Sequence, residues 1–545
     1  MTRKLINYLI LFVSLCLSAP TFATEESKQE TFESLVNQLH VKSYKTKQQL
    51  IESIAKLNDK RKLSVLENML NSLLYYRKSD KKIVFVKKLQ EQYEITDVLN
   101  NKSIGSVDKS TLKRIKVNNK LRRILRSMTA RLSLEDADPD IRYAAVKNIL
   151  RTIDASKSVI LRERLSLEKD SDVLDLMYTA IALVDIQEND SSLRLKAIAI
   201  LSNSLEPAAK ARLEDILEKD EKGEYLEKDE HIRLKASKGI ELINSRLSAF
   251  QMVETAFFGL SLGSVLLLTA IGLAITFGVM GVINMAHGEL MMIGAYTTYL
   301  VQLAMPNHID YSMFVAIPAA FIVAGLFGIA IERSVIRHLY GRPLETLLAT
   351  FGISLILQQL VRTAISAQNV TVSNPSWLSG SLVINPALAI TYNRLYVLIF
   401  ALLVFVGLIL ILKKTPLGLQ VRAVSQNRPM ARAMGVRSEW VDALTFGLGS
   451  GVAGIAGVAL SQLTNVGPNM GQTYIIDSFM VVVFGGVGNL WGTFVGAMSL
   501  GVFNKFIEPA TGAVLAKILV LVLIILFIQS RPRGLFPQKG RAVEN

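Results

Sequence analysis

Nine apolar stretches succeed one another after Phe250, at approximately 256–279, 289–305, 313–332, 346–366, 394–412, 443–463, 475–490, 493–507 and 513–530. Stretches of this length and hydropathy read as membrane-spanning helices, because only helices and closed barrels satisfy every backbone polar group within lipid. The two stretches inside 475–507 are short and rich in glycine, so the expected count is eight or nine. A polytopic helical bundle is the expectation for residues 252–535, with a tail at 536–545 in water.

Charge sorts the connections between these stretches. Residues 333–345 carry Arg333, Arg337 and Arg342; 413–440 carry Lys413, Lys414, Arg422, Arg428, Arg432 and Arg437; the tail carries Arg531, Arg533, Lys539 and Arg541. The alternate connections 306–312, 367–393, 464–474 and 508–512 have no Lys or Arg. Basic loops stay cytoplasmic. Nine spans behind an exported N-terminal part therefore put every basic loop, and the C-terminus, on the cytoplasmic side of the membrane. The chain holds 61 Lys and Arg against 46 Asp and Glu, an excess that can signal nucleic acid. Its placement in alternate loops argues for topology and against a phosphate-binding face.

Residues 1–251 are dense in charge and soluble in character. Met1–Ala23 reads as a secretory signal, with Arg3 and Lys4, the apolar run Leu5–Leu17 and a small-x-small site at Thr21-Phe22-Ala23. An uncleaved anchor would equally export the domain behind it. Cys16 is the only cysteine and would leave with the signal, so the mature chain is expected to have no disulfide, cysteine metal site or cysteine nucleophile.

Residues 24–248 are expected to be all-helical. The only prolines are Pro139 and Pro207, and apolar residues recur at three- and four-residue spacing, as in Leu35, Leu39 and Leu63, Leu66, Leu70. Three segments, Asp138–Val146, Asp190–Ile198 and Asp229–Ser237, each open with an acidic cap and place Arg142, Arg194 or Arg233 one turn later. Asp170–Val184 reads as a degenerate copy. The arginine spacings are 52 and 39 residues, against about 40–47 in regular HEAT arrays, which predicts an irregular HEAT-like domain. Helix-pair arrays commonly bind proteins, although a spacer without a ligand fits the same pattern.

Within the apolar half, Thr276–Leu290 places Asn284, His287 and Glu289 among Gly278, Gly281 and Gly288. A glycine costs a helix about 1 kcal/mol relative to alanine, and polar groups at membrane depth tend to face a bundle interior or an aqueous path. The stretch reads either as a broken element lining a substrate path or as a short turn between two helices. Gln358, Gln359, Arg362, Asp477 and Asn489 complete the intramembrane polar set. Amides in a protected path suit a neutral hydrogen-bonding solute; each taken singly also suits a helix-to-helix hydrogen bond. Gly488, Gly492 and Gly496, and Gly447, Gly451, Gly454 and Gly457, make small-residue faces for close helix packing.

The loop Lys413–Trp440 begins with Pro416 ending a helix, and Leu417–Ala423 and Pro429–Gly435 have the pattern of short amphipathic helices. Such a surface could fit a groove on a cytoplasmic partner, or be an ordinary basic loop. There is no GxxxxGK[ST] phosphate loop, no Ser/His/Asp or paired-carboxylate arrangement, and no metal cluster among the five histidines. The chain is expected to be no enzyme and to hold no cofactor or metal.

These residues carry a resemblance. GLAITFGVMGVINMAHGELMMIGAY (272–296) resembles the first conserved block of the branched-chain amino acid type permeases of ATP-binding cassette transporters, the LivH group; 332–362 and 414–436 resemble its next two blocks. LYGRPLETLLATFGISLILQQLVR, AQNVTVSNPSW (367–377) and 467–493 are most similar to the family's urea-transporting branch, the UrtB type. The resemblance covers roughly 252–535. The general LivH-type permease lacks the exported extension, which some members of the urea branch carry.

The resemblance implies an all-α polytopic permease preceded by an exported helical domain. It implies pairing with a second permease subunit, two cytoplasmic ATPase subunits that use the ATP, and a periplasmic solute-binding protein. On this reading the substrate path is built from Asn284, His287, Glu289, Gln358, Gln359, Asp477 and Asn489. The ATPase coupling loop is carried by Pro416, Leu417, Gly418, Arg422, Ala423, Asn427, Arg432 and Gly435. Urea is the expected cargo, with branched-chain amino acids or short amides as the alternative; a zwitterion would call on fixed charges, for which only Glu289, Arg362 and Asp477 offer themselves. A membrane receptor with an exported sensing domain is the reading from another class.

Overall fold

The computed structural model describes residues 31–89 and 92–536. The expected secretory signal with Cys16, and the tail beyond Phe536, lie outside the described residues. The chain forms two compact units, one reaching to Gly239 and one from Ile240 onward, with residues 205–207 counted in the second.

In the first unit α1 (Phe32–Gln38), α2 (Tyr44–Lys56) and α3 (Lys62–Leu70) lead into an antiparallel sheet. Its strands β1 (Leu74–Arg77), β2 (Ile83–Leu89), β3 (Gln92–Asp97), β4 (Ser103–Val107) and β5 (Leu112–Arg114) lie in the order β4-β3-β2-β1-β5. The expectation of an all-helical 24–248 is corrected here. The stretch has apolar residues of period two, which line both sides of a pleated surface. Leu74, Ile83 and Ile115 join the core shared with α1–α3, while Val84, Val86, Ile95 and Leu112 make a second cluster. Lys81 and Asn101 take the left-handed conformation, φ 59° and 55°, in the turns after β1 and β3.

Six helices come next: α4 (Asn119–Leu134), α5 (Pro139–Leu150), α6 (Ala155–Leu165), α7 (Ser171–Asp185), α8 (Ser191–Leu201) and α9 (Pro207–Ile216). The acidic openers are helix caps. Asp138, Asp170 and Asp190 accept backbone N–H bonds at the starts of α5, α7 and α8, and Asp229 does so at the start of α10 (Glu230–Met280). The arginine that follows each cap reaches back to a neighbouring turn. Arg142 donates twice to buried Glu168, at 2.8 and 2.7 Å, and to the carbonyls of Asp136 and Ala137. Arg194 pairs with Glu227 and donates to the Ile186 carbonyl; Arg233 donates to the Glu227 carbonyl. The Arg142 guanidinium holds the Glu168 carboxyl down to about 2.

The second unit takes up the end of α10 and continues with α11 (His287–Ala304), α12 (Ile309–Ser334), α13 (Pro343–Ala364), a hairpin of β6 (Ser381–Asn385) and β7 (Leu388–Thr391), and α14 (Tyr392–Lys414). Two short helices, α15 (Pro416–Gln426) and α16 (Arg428–Ala433), precede α17 (Ser438–Ser461), α18 (Met470–Gly485), α19 (Leu490–Thr511) and α20 (Ala513–Ser530). Every apolar stretch is thus helical. Among the described residues, seven helices are long and apolar enough to cross a membrane; α18 has 16 residues, and α11, with His287 and Glu289 in its first turn, is not among the seven.

Small residues let the central helices touch backbone to backbone. A Cβ on Gly294 of α11 would fall 2.1 Å from the Gly454 carbonyl of α17, and one on Gly457 would fall 2.0 Å from the Met291 carbonyl. The connections gather at two ends. Arg337 reaches Glu439 at 3.6 Å and Arg428 lies over the Tyr340 ring at 4.0 Å, so 335–342 and 427–440 share one end, the basic one. At the other end the connection from α13 to α14 crosses the tops of α11, α12 and the α17–α18 connection as a strap.

Candidate functional site

The break between α10 and α11 positions the polar cluster. Gly281, at φ 68°, caps α10 through its N–H to the Phe277 carbonyl, a left-handed position that favours glycine. Residues 282–286 then run without helical hydrogen bonds, and α13 supplies a hydroxyl in their place: Thr350 Oγ1 accepts from the Met285 N–H at 3.1 Å. Asn284 Oδ1 accepts from the Ala286 N–H at 3.0 Å and so restarts the helix, leaving its buried Nδ2 with no partner among the described residues.

His287 opens α11 with Nε2 2.9 Å from the Thr269 carbonyl of α10. A carbonyl only accepts, so Nε2 carries the proton and Nδ1 is a bare acceptor, buried and without a partner among the described residues. Two residues on, Glu289 Oε1 accepts from Gln358 Nε2 at 2.7 Å and from Ser354 Oγ at 3.0 Å, both on α13. Glu289 Oε2 has no such partner and lies against α18, where a Cβ on Gly471 would stand 2.7 Å from it. Gly288 and Gly471 are in contact, a Cβ on Gly288 falling 2.3 Å from the Gly471 carbonyl.

Asn284, His287, Glu289 and Gln358 are therefore all buried around the start of α11, and Glu289 and Gln358 are bonded to each other. Gln359 points away and donates to Thr363 at 3.3 Å. Arg362, one turn beyond Gln358, donates to Asn469 at 2.6 Å and is close enough for its charge to act on Glu289, whereas Asp477 pairs with Lys517 at 3.1 Å. Asn489 sits toward the basic end as the cap of α19, accepting from Trp491 and Gly492 and donating to the Phe536 carbonyl at 3.2 Å. Thr350 and Ser354 were missed by reasoning from the sequence. Their signal was there: Thr346, Thr350, Ser354, Gln358 and Arg362 recur every fourth residue, one polar stripe along an otherwise apolar helix.

At the basic end, Thr415 caps α15 at the Gly418 N–H and Asn427 caps α16 at the Met430 N–H. Pro416 takes the first turn of α15, and a Cβ on Gly418 would fall 2.0 Å from the Leu412 carbonyl. Leu417 and Ala423 pack on Val421, Val424, Ala431 and Val441. The arginines turn inward: Arg422 caps the Leu412 carbonyl, Arg428 forks onto Asp442 at 2.7 and 2.8 Å, and Arg432 donates to Ser438 at 2.6 Å. Gly435, φ 87°, ends α16. Leu419 and Met434 are 63% and 78% exposed beside Met430, among the exposed Arg422, Arg432 and Arg437.

A bundle of apolar helices with a broken, polar centre and a two-helix platform at its basic end defines an integral-membrane permease subunit. The chain belongs to the branched-chain amino acid transport system/permease component family, whose sequence model matches residues 255–528. It is 32% identical over 287 residues to the high-affinity branched-chain amino acid transport system permease protein BraD of Pseudomonas aeruginosa, covering 51% of this chain and 93% of that protein. It is 30% identical over 292 residues to the corresponding LivH protein of Salmonella typhimurium, covering 52% and 94%. A shorter match, 31% over 110 residues, covers 19% of this chain and 34% of the ribose import permease protein RbsC of Bacillus subtilis. No solved structure matches.

Proposed function

We propose that this chain is the membrane-spanning permease subunit of an ATP-binding cassette importer that takes up urea. The observation that carries the cargo is the state of the interior charges. Glu289 is engaged by Gln358 and Ser354, Arg362 by Asn469, and Asp477 by Lys517. Among the described residues of the cluster, the open positions are Asn284 Nδ2 as a donor, and His287 Nδ1 and Glu289 Oε2 as acceptors. A small neutral solute with a carbonyl and amino groups complements donors and acceptors of this kind. A zwitterion would also need a cation for its carboxylate, and the cation of the set, Arg362, is exposed and donates to Asn469.

The basic end faces the cytoplasm by the positive-inside rule, which leaves the first unit in the periplasm. Two ATPase subunits dock on α15 and α16, a second permease subunit completes the pore, and a periplasmic solute-binding protein delivers the cargo. The names of the relatives favour a second reading, branched-chain amino acids. Uptake of labelled urea and labelled leucine at micromolar concentration, in cells with and without the gene, separates the two. Loss of urea uptake alone is the expected result. Loss of leucine uptake keeps the permease and overturns its cargo, and loss of neither would favour a receptor.

A further inference from the structure

Between Arg362 and Arg394 the chain has no charged residue, yet it lies at the end of the bundle rather than inside it. The first part of this segment is the strap. Val370 and Val466 exchange backbone hydrogen bonds at 2.8 and 3.0 Å. Gln302 donates to the Ser373 carbonyl at 2.8 Å and accepts from its N–H at 2.9 Å. Asp310 takes the Ser376 N–H at 2.6 Å and its carbonyl takes Trp377 Nε1 at 3.0 Å. The second part is the hairpin, entered at Gly380 (φ 100°) and closed by the Tyr392 N–H on the Gly380 carbonyl at 3.1 Å.

The two strands of the hairpin differ. Leu388 of β7 is buried, whereas Leu382, Val383 and Ile384 of β6 are 43%, 60% and 55% exposed. Successive strand residues point to opposite faces, so both faces of β6 are bare, as is its outer edge. Three consecutive aliphatic side chains on an uncharged free edge are a liability in water, since such an edge pairs with other chains. At its base stands a ring cluster. Phe314 stacks on Trp377 at 5.8 Å, Trp377 meets Tyr396 edge-on at 5.6 Å, and Tyr396 lies 6.3 Å from Tyr392. Phe314 and Tyr396 lie in the second turns of α12 and α14, whose exposed Ile322, Leu326, Ile399 and Leu403 continue the same apolar surface down the spans.

We propose that the hairpin 381–391 is an anchor on the phospholipid surface, with β6 in the headgroup layer and its aliphatic side chains reaching the acyl boundary. Aromatic rings of amphipathic shape collect at that level, and the hairpin continues the lipid-facing surface of α12 and α14 past the ring cluster. The unpaired backbone of β6 limits its depth, because N–H and C=O groups without partners are not tolerated in hydrocarbon. A soluble protein docking here would be met by polar or charged groups around the apolar patch, and the segment has no charge. The inference rests on the bundle spanning a bilayer and not on the identity of the cargo.

The test uses the full chain with Cys16→Ser and Val383→Cys, labelled with an environment-sensitive fluorophore and reconstituted in lipid nanodiscs. Emission shifted to the blue, quenched by lipids bearing a nitroxide near the headgroup and protected from aqueous iodide, is the expected result. A label quenched by iodide and untouched by lipid nitroxide overturns the anchor. So does a shift that appears only when the purified solute-binding protein is added, which would assign the surface to that protein. Adding Leu382→Asp and Ile384→Asp should abolish the lipid quenching, while a label at Leu403→Cys in the same background stays lipid-quenched and shows the bundle intact. Lipid quenching that survives both aspartates would also overturn it.

Discussion

Glu289 and Gln358 meet at 2.7 Å across α11 and α13, and this bond fastens the broken start of α11 to the polar stripe of α13. Both side chains are buried. Leaving a buried polar group short of a hydrogen bond costs about 1–3 kcal/mol, and without Gln358 only Ser354 would hold Oε1. Gln358→Leu should therefore abolish uptake and lower the melting temperature of the purified protein, while Gln358→Asn, shorter but still a donor, should fall between. Uptake unchanged in Gln358→Leu would remove the cluster from the path.

The contact between Gly288 and Gly471 makes a sharper steric prediction. A Cβ on Gly471 would stand 2.5 Å from the Gly288 carbonyl carbon, so Gly471→Ala forces α11 and α18 apart. Overpacking of this kind costs about 1–3 kcal/mol. Gly407 of α14 has nothing within 4 Å of its Cβ position, and Gly407→Ala should leave the thermal melt unchanged or raise it by the helix preference for alanine, about 1 kcal/mol. Equal effects at the two sites would refute the close contact.

At the basic end Leu419, Met430 and Met434 are exposed, and Arg422, Arg428 and Arg432 are bonded to the platform, which changes how docking of the ATPase should be probed. Met434→Asp and Leu419→Asp should abolish ATP-driven uptake and co-purification of the ATPase subunits without affecting membrane insertion. Arg432→Glu breaks the bond to Ser438, and Arg422→Glu loses the cap on Leu412. These reversals should loosen the platform and raise proteolysis within 413–440. Wild-type uptake in Met434→Asp would dismiss the platform as the coupling surface.

In the first unit acid should loosen the helices around Arg142. The folded carboxyl of Glu168 lies near 2, against 4.5 unfolded. Its stabilisation is therefore present above 4.5 and lost as the pH falls through about 2, and the shift corresponds to about 3 kcal/mol at neutral pH. Hydrogen exchange of α5–α7 in the full chain, compared at matched pH with Glu168→Gln, should show faster exchange in the variant at pH 7 and a narrowing gap toward pH 2. A gap that does not change with pH would mean that the charge of Glu168 does not matter.

Much of this was legible in the sequence, for physical reasons that differ by segment. Apolar length alone marks the nine long helices among the described residues of the second unit, because lipid leaves the backbone few alternatives. Asp138, Asp190 and Asp229 announced helix starts, since an acidic residue ahead of a helix has one common use there. The sheet was overlooked because Leu63, Leu66 and Leu70 set a helical rhythm that was carried past Leu74, where the period falls to two. The polar set was found, but not its grouping. Whether Gln358 or Gln359 faces Glu289 depends on the rotation of α13, and the small residues that fix it, such as Gly471, belong to another helix.

The strap also says where the bundle can give. Its six hydrogen bonds to Gln302, Asp310 and Val466 lash the tops of α11, α12 and the α17–α18 connection into one piece. At the opposite end of α11, residues 282–286 are tied to α13 by the hydroxyl of Thr350. Because α11 is fixed at its head by the strap and at its start by Glu289, His287 and Gly288, the slack lies ahead of it, in residues 282–286. Any rearrangement that opens a way past Glu289 is thus directed to the unwound segment that carries Asn284.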